Sequence, residues 1–168
     1  EVSVYAPPKV AIILTGNELQ KPGNPLEFGQ VYEANSFQLK AALNKIGIKN
    51  SMVLTAEDEP DELRKVLQHA LEANDVVLLN GGVSVGDYDF VTQAAQSCGV
   101  EAKFHKIKQK PGKPLFFGTK EDKLVFGLPG NLVSSFIQLE LLIRPLIYNM
   151  MRHDLKPLIV TLPMNENY

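Results

Sequence analysis

The chain has 168 residues, of which 45% are hydrophobic and 21% charged, a composition typical of one globular domain rather than of a disordered segment. Its formal net charge of −2 argues against a general basic surface, so we expect no nucleic-acid partner. No apolar run approaches the roughly 18 to 20 residues that cross a membrane, and no signal peptide opens the sequence, so we expect no membrane partner.

The first part of the chain combines a short apolar run with a helical pattern. The branched residues of "KVAIILT" (9–15) predict a central strand that is covered on both faces. In "ANSFQLKAALNKIG" (34–47), apolar residues recur at helical spacing. This pattern predicts a helix that is capped by Asn35 or Ser36 and ended by Gly47.

Two further strands enclose a second predicted helix. "IKNSMVL" (48–54) is typical of a strand, and "DVVLLN" (75–80) has the same buried pattern as the first strand. Between them, "DEPDELRKVLQHALEA" (58–73) begins with acidic residues and Pro60 and keeps its leucines on one face. We therefore expect an amphipathic helix there.

The second half of the chain is predicted to contain two helices with a strand and a hairpin between them. A third helix is predicted over 89–99, and "VEAKFHKI" (100–107) alternates apolar and polar residues like a half-buried strand. "LFFG" and "LVFGL" flank the polar tip "TKEDK" (119–123) as in a hairpin. The last predicted helix covers 133–150, and Pro145 is expected to bend it.

Strands that alternate with helices predict an α/β fold with three αβα layers, a mostly parallel Rossmann-like sheet and a small hairpin. In such sheets, ligands usually lie across the carboxyl ends of the strands. We therefore predict that the polar turns after residues 14, 54, 79 and 128 meet on one edge of the sheet and form the site.

The cysteine content indicates the cellular compartment of the protein, and the first residue bears on whether the chain is part of a longer polypeptide. Cys98 is the only cysteine and has apolar neighbours, which is typical of a reduced packing residue in a cytoplasmic protein. The chain begins with Glu1 rather than methionine, so we expect a piece of a longer polypeptide. We predict one domain over 1–152 and a C-terminal extension over 153–168 that starts a following domain and packs poorly against this one.

Glycine-rich polar turns follow the predicted strands. They are "TGNEL" (15–19), "NGGVSVGDYD" (80–89), "KQKPGKP" (108–114) and "GLPGN" (127–131). Glycine lets backbone N–H groups approach a ligand closely, so such turns can bind phosphate or another oxyanion. The alternative is that each glycine only permits a change of chain direction. Several such turns on one edge favour the anion site.

A local cationic patch lies in "KFHKIKQKPGK" (103–113), where five lysines surround His105. Lys103 and Lys106 suit the alternative of a solvated edge strand, because lysine blocks unwanted strand pairing. Lys110 and Lys113 flank a Pro-Gly turn instead. These two are candidates to bind phosphate through their charge.

Four carboxylates follow the same strands: Glu18, Asp58, Asp87 and Asp89. Alone they would repel an anion, but Mg²⁺ is bound by one or two carboxylates together with substrate oxygens and waters. For Asp58 and Asp89 the alternative is that they cap the helices that follow them. The residues by themselves leave both interpretations open.

The motifs "TGNEL", "EANSFQL", "NGGVSVGDYD", "KPGKP" and "GLPGN" occur in this order within residues 9–148. Together they resemble the molybdopterin-binding domain of the molybdopterin molybdenumtransferases, the family that includes the E domain of gephyrin. "GGVSVGDYD" and "KPGKP" are the most specific motifs, because a glycine turn alone occurs in many folds.

The resemblance implies a step of molybdenum cofactor biosynthesis, in which adenylylated molybdopterin is bound, Mg²⁺ assists cleavage of its phosphoanhydride, and molybdate is inserted as AMP leaves. It implies catalytic roles for Asp58, Ser84, Asp89 and Lys110, and metal binding by Glu18, Asp87 and Asp89. The residues that it implies for binding the pterin compound are Thr15, Gly16, Gly81, Gly82, Ser84, Gly86, Lys110, Pro111, Gly112, Lys113, Pro129, Gly130, Asn131 and Ser134.

Members of this family carry further domains and complete the site in a homodimer, so the resemblance implies that this chain is a transferase fragment that needs those partners. Two positions depart from the family pattern. Asn17 stands in place of an aspartate, which removes a negative charge, and Leu132 stands in place of a proline, which loosens a helix start. A molybdopterin adenylyltransferase-like or nucleotide-hydrolysing enzyme and a non-catalytic scaffold domain remain alternatives.

Overall fold

The computed structural model describes residues 2–82, 88–156 and 159–163, with the backbone alone at positions 88 and 89. The elements in chain order are β1 (Val10–Thr15), β2 (Leu19–Gln20), β3 (Val31–Tyr32), α1 (Asn35–Lys45), β4 (Met52–Ala56), α2 (Pro60–Ala73), β5 (Val76–Asn80), α3 (Tyr88–Ser97), β6 (Glu101–Lys106), β7 (Pro114–Lys120), β8 (Lys123–Leu128), α4 (Leu132–Gln138), a π-helical turn (Leu139–Ile143) and α5 (Arg144–Met150). They form an α/β fold around one large sheet.

The large sheet has six strands in the order β4-β1-β5-β8-β7-β6. Strands β4, β1, β5 and β8 run parallel, whereas β7 is antiparallel to β8 and β6 is antiparallel to β7. The predicted mostly parallel sheet is therefore confirmed. The predicted hairpin is also present, but β8 is a central parallel strand, so the hairpin belongs to the main sheet.

Helices cover both faces of the sheet, and the predicted three layers are confirmed. Every residue of β1 and β5 is buried because a helical layer packs on each side. Leu67 of α2 and Val91 of α3 belong to one buried apolar cluster, and Leu43 of α1 and Ile147 of α5 belong to the other. Full burial of such a side chain contributes about 1.5–3 kcal/mol, so these clusters hold the helices in place.

The start of α1 differs from the prediction. Asn35 and Ser36 lie inside the helix and do not cap it. Instead, the carboxylate of Glu33 accepts hydrogen bonds from the Ser36 N–H and the Ser36 hydroxyl, both at 2.6 Å, and the Asn35 amide donates to the carbonyl of Gly130 at 2.9 Å. The predicted stop is confirmed, because Gly47 follows the helix with φ of +90°.

The strand predicted over 48–54 is displaced toward the C-terminus. It is observed at Met52–Ala56, where Met52 pairs with Ala11 of β1. Ile48 is buried in the apolar cluster on the α1 side of the sheet, so its apolar character reflects packing of the connection rather than a strand. The small parallel pair β2 and β3 was not predicted, because two residues are too few to give a pattern.

The strand predicted over 100–107 is confirmed as β6, Glu101–Lys106, but it lies exposed along its whole length. All six of its residues are exposed, because this outermost strand pairs on one side only and its side chains have little cover. Phe104 is 43% exposed and stacks against Phe117 with 5.4 Å between ring centroids. The edge position expected for Lys103 and Lys106 is confirmed.

The last helix is disturbed near Pro145, as its sequence predicts. The turn Leu139–Ile143 is π-helical, and Pro145 lies two residues after its end, in the first turn of α5. Proline lacks an N–H, and its ring collides with the carbonyl four residues earlier in a regular helix, so a wider turn accommodates it. Arg144 donates to the Glu140 carboxylate at 2.7 Å, and this hydrogen bond raises the pKa of Arg144.

Cys98 is buried, and its thiol donates to the carbonyl of Arg64 at 3.4 Å. Burial raises the pKa of this thiol, so its predicted role as a packing residue is confirmed. The described residues of the C-terminal extension, 153–156 and 159–163, form no strand, and Ile159 is 82% exposed. The boundary between 152 and 153 stays a prediction.

None of the described helices has the length and hydropathy that crossing a membrane requires.

Candidate active site

The carboxyl ends of the four parallel strands lie side by side, as the alternation of strands and helices predicts. Thr15 at the end of β1 pairs with Ala56 at the end of β4. Asn80 at the end of β5 pairs with Leu14 on one side and with Leu128 of β8 on the other. The loops that follow these strands therefore start from one edge of the sheet.

A cavity of about 260 Å³ opens at this edge. Its described lining consists of Thr15, Gly16, Glu18, Asp58, Gly81, Gly82, Phe90 and Gly130. All of these except Phe90 come from the loops or strand ends that were predicted to form the site. The cavity thus unites turns that are up to 115 residues apart, from position 15 to position 130.

Thr15 and the glycine turn form the floor of the cavity. The Thr15 hydroxyl is buried and has no hydrogen-bond partner among the described residues. A β-carbon on Gly82 would lie 2.9 Å from this hydroxyl, and one on Gly81 would lie 2.2 Å from the Thr15 carbonyl oxygen. Only glycine leaves room here. A buried unpaired hydroxyl needs a partner, and a ligand oxygen would supply one.

Two carboxylates stand at the wall of the cavity. Both oxygens of Glu18 would lie 2.8 Å from a β-carbon on Gly16, so this carboxylate lies over the glycine that follows β1. The Asp58 carboxylate accepts a hydrogen bond from the Asn17 N–H at 3.1 Å. The described residues contain no group of three or more metal-binding side chains. Two carboxylates suit Mg²⁺, which keeps waters and substrate oxygens in its remaining positions.

Asp58 does not cap α2, which excludes the alternative interpretation of this residue. The capping position belongs to Glu59, whose side chain makes no capping hydrogen bond. Asp58 instead faces the loop after β1, 41 positions earlier in the chain. Asp89 does not precede α3 as that alternative requires, because its backbone lies inside the helix Tyr88–Ser97; its side chain lies outside the described residues.

The turn after β8 is held by amide side chains from neighbouring elements. The Asn80 amide donates to the carbonyl of Pro129 at 3.1 Å, and the Asn35 amide donates to the carbonyl of Gly130. Asn131 caps α4 by accepting the N–H of Ser134 at 3.1 Å. Asn131 therefore starts the helix, a role that requires no proline at the next position.

The loop with the two lysines starts β7 at the same edge of the sheet, because β7 runs antiparallel to β8. Lys110, Pro111 and Lys113 are exposed, and Gly112 is buried. The buried Gln138 of α4 donates to the carbonyls of Gly112 and Pro114, both at 2.7 Å. The lysines do not line the 260 Å³ cavity in the described structure.

Four predicted site residues lie wholly or partly outside the part of the chain that the structure describes. Ser84, Gly86 and Asp87 lie outside the described residues, and Asp89 is described by its backbone alone, near the start of α3. The structure also adds residues that the sequence pattern did not single out. Gln138 anchors the lysine loop and Phe90 lines the cavity, but a single polar or aromatic residue in a helix gives no signal of such a role.

A larger groove adjoins the cavity on the α1 side. Its volume is about 990 Å³, and its lining includes Asn17 and Leu19 after β1, Phe37 of α1 and Val53 of β4. Gly16 lines both the groove and the cavity. The loop after β1 therefore separates the two spaces.

A family model described as "Probable molybdopterin binding domain" matches residues 11–149. The chain belongs to this family. The resemblance noted in the sequence is thereby confirmed, and the chain contains a molybdopterin-binding domain of the kind found in molybdenum cofactor biosynthesis proteins.

Two curated relatives of this molybdopterin-binding domain are the molybdopterin molybdenumtransferases of Haemophilus influenzae and Staphylococcus aureus. They are 39% and 33% identical to it over 147 and 150 residues. The alignments cover 88% and 89% of this chain but only 36% of each relative. The chain thus spans 36% of the length of these curated relatives.

Solved structures share the same fold. A molybdopterin biosynthesis MoeA protein from Pyrococcus horikoshii has a TM-score of 0.76 at 36% identity, over 86% of this chain and 36% of that one. The molybdopterin biosynthesis enzyme MoaB from Thermus thermophilus has a TM-score of 0.61 at 18% identity, over 88% of this chain and 99% of that one. At this lower identity the likeness concerns the fold alone.

Proposed function

We propose that this domain binds adenylylated molybdopterin and takes part in Mg²⁺-dependent insertion of molybdate with release of AMP. The observation that carries the proposal is the cavity in which a glycine turn and two carboxylates meet the Thr15 hydroxyl, which has no hydrogen-bond partner among the described residues. The names of the relatives suggest the substrate class, since they are molybdopterin molybdenumtransferases. In this reaction an oxygen of water or molybdate would attack the phosphoanhydride, the pterin would keep its phosphate and AMP would leave. The two dithiolene sulfurs would replace oxygen ligands of the molybdate, which leave with the thiol protons as water.

The floor of the cavity is suited to bind an oxyanion. The Thr15 hydroxyl can donate to a phosphate or molybdate oxygen, because no described protein group uses it. Gly81 and Gly82 have no side chain that would keep such an oxygen away from the backbone. These three residues therefore orient the anionic part of the substrate, and Asn131 and Asn80 keep the neighbouring turn in place.

The carboxylates of Glu18 and Asp58 would hold Mg²⁺ beside that oxyanion. When bound, the ion supplies positive charge that polarises the phosphoanhydride. In the domain itself, the Asn17 N–H orients the Asp58 carboxylate through its hydrogen bond. Glu18 stays close to the cavity because it lies over Gly16. Asp87 and Asp89 remain candidates for further ligands.

Lys110 and Lys113 would balance the charge of the anionic substrate from the same edge of the sheet. Their loop is fixed by Gln138, while both ammonium groups are exposed. We further propose that other domains of the polypeptide and a homodimer complete the site, in line with the larger size of the relatives. Sedimentation equilibrium of the full-length protein tests the dimer.

The central experiment is a titration of the full-length protein with adenylylated molybdopterin, with and without Mg²⁺ and molybdate, together with an assay of AMP release. We expect binding, and AMP release that needs both Mg²⁺ and molybdate. Asp58→Asn keeps the acceptor for the Asn17 N–H but removes the charge, so it should lose most AMP release while it still binds the pterin compound. The exposed Asp122 in the turn between β7 and β8 provides the control Asp122→Asn.

Three results would contradict the proposal in different ways. AMP release without molybdate would indicate a nucleotide-hydrolysing enzyme. Absence of pterin binding would indicate a scaffold domain that keeps the fold. Full AMP release by Asp58→Asn would exclude the metal-binding role of that carboxylate, and the same test applies to Asp89→Asn.

A further inference from the structure

Asn17 and Asp58 form a reciprocal pair across the loops after β1 and β4. The Asn17 N–H donates to the Asp58 carboxylate at 3.1 Å, and the Asp58 N–H donates to the Asn17 side-chain oxygen at 3.3 Å. Each residue thus binds the backbone of the other. Because β1 and β4 are neighbouring parallel strands, the pair ties together two loops whose starting points are already fixed.

The pair also occupies the boundary between the two spaces at this edge. Asp58 lines the 260 Å³ cavity, and Asn17 lines the 990 Å³ groove. Asp58 is exposed, and among the described residues its carboxylate has no hydrogen-bond donor apart from the Asn17 N–H. Without this pair, the carboxylate would be free to turn away from the cavity.

We propose that Asn17 is a positioning residue that keeps the Asp58 carboxylate at the cavity and sets the affinity of the site for a divalent cation. This inference rests on the proposed function, in which Asp58 binds the cation. The asparagine side chain supplies the acceptor that fixes the Asp58 backbone, and it does so without a charge. Asn17 is the sequence neighbour of Glu18. An aspartate at position 17 would therefore add a negative charge beside the cavity wall, which already has the carboxylates of Glu18 and Asp58.

Two substitutions separate positioning from charge. Asn17→Ala removes the acceptor for the Asp58 N–H, while Asn17→Asp keeps an acceptor oxygen and adds a charge. We expect Asn17→Ala to weaken Mn²⁺ binding to the full-length protein by about tenfold. We expect Asn17→Asp to strengthen it by about tenfold at low ionic strength, with a smaller gain as salt screens the added charge. Electron paramagnetic resonance of free Mn²⁺ measures both affinities.

A second readout does not depend on the metal. The amide of residue 58 should exchange its hydrogen about fivefold faster in Asn17→Ala without any cation, because one hydrogen bond that protects it is lost. In Asn17→Asp its exchange should stay close to that of the unmodified protein. Asn50→Ala is the matched control, since Asn50 is exposed and lies in the loop before β4, at the opposite edge of the sheet.

The results distinguish this inference from the proposed function. Unchanged Mn²⁺ affinity and unchanged exchange at residue 58 in Asn17→Ala would overturn the positioning role even if the unmodified protein releases AMP. Weaker Mn²⁺ binding in Asn17→Asp would overturn the role of charge. If the unmodified protein does not bind Mn²⁺, the metal role in the proposed function fails, and with it the claim that Asn17 sets cation affinity. The exchange at residue 58 then decides only whether Asn17 fixes the backbone of Asp58.

Discussion

Gly81 has a backbone conformation and surroundings that other residues do not fit. Its φ is +98°, and a β-carbon would lie 2.2 Å from the carbonyl oxygen of Thr15. We expect Gly81→Ala to lower the free energy of unfolding by about 3 kcal/mol, since both backbone strain and a steric clash are introduced. Urea denaturation measures this loss.

Gly23 provides a control with a similar backbone conformation but with open, exposed surroundings. Its φ is +96°, but no atom lies within 4 Å of a β-carbon built there. Gly23→Ala should therefore cost only the strain of the left-handed backbone, about 1 kcal/mol. Equal losses in the two variants would mean that the clash with Thr15 is relieved by a small shift, and that the cavity floor is less constrained than we infer.

The position of a residue at the site could be predicted where a motif follows a strand. It could not be predicted where the position depends on a hydrogen bond to a residue distant in the sequence. The glycines of the turn after β5 and the carboxylates Glu18 and Asp58 follow strands, so their common edge follows from the direction of parallel strands. The pairing of Asn17 with Asp58 joins positions 41 residues apart. Hydrogen bonds of this kind depend on loop geometry, which the sequence pattern does not specify.

Among the elements, α4 has a second function besides covering the sheet. Gln138 is fully buried and donates to the carbonyls of Gly112 and Pro114. We expect Gln138→Leu to lower the free energy of unfolding by about 1–3 kcal/mol, because the buried carbonyl of Gly112 and the partly buried carbonyl of Pro114 lose their donor. It should also increase the susceptibility of the lysine loop to proteases.

The control for this change is Gln96→Leu, on the exposed side of α3. Unfolding in urea and limited proteolysis would be measured on both variants. A loss of stability in Gln138→Leu without faster cleavage near Lys110 would mean that the loop is held by other contacts, and that Gln138 matters only for packing.

Elements with a strong hydrophobic pattern were predicted well, and those set by their position in the sheet were not. The runs that became β1 and β5 are apolar at nearly every position because helices cover both faces. The pattern of β6 resembles that of a buried strand, but its place at the edge leaves Phe104 partly exposed. Strand order decides such exposure, and it is not encoded in the local sequence of one strand.

Over the whole molecule, the carboxyl edge of the sheet carries both signs of charge. Glu18 and Asp58 line the cavity, and the loop with Lys110 and Lys113 begins β7 at the same edge. The net charge of −2 gives no indication that carboxylates and lysines lie at the same edge of the sheet. A field that attracts an anionic substrate therefore depends on where the lysines lie and not on their number.

We expect the double variant Lys110→Gln and Lys113→Gln to bind adenylylated molybdopterin about tenfold more weakly at low ionic strength, and to differ less as salt rises, because exposed charges are screened within about 10 Å at 0.1 M. The control is Lys40→Gln with Lys49→Gln, which removes the same charge from a groove at the opposite, amino edge. Calorimetric titrations of the full-length protein at several salt concentrations make the comparison. Both double variants have the same net charge. Equal weakening of binding in the two would therefore assign the effect to overall charge, and Lys110 and Lys113 would be ordinary solvated surface residues.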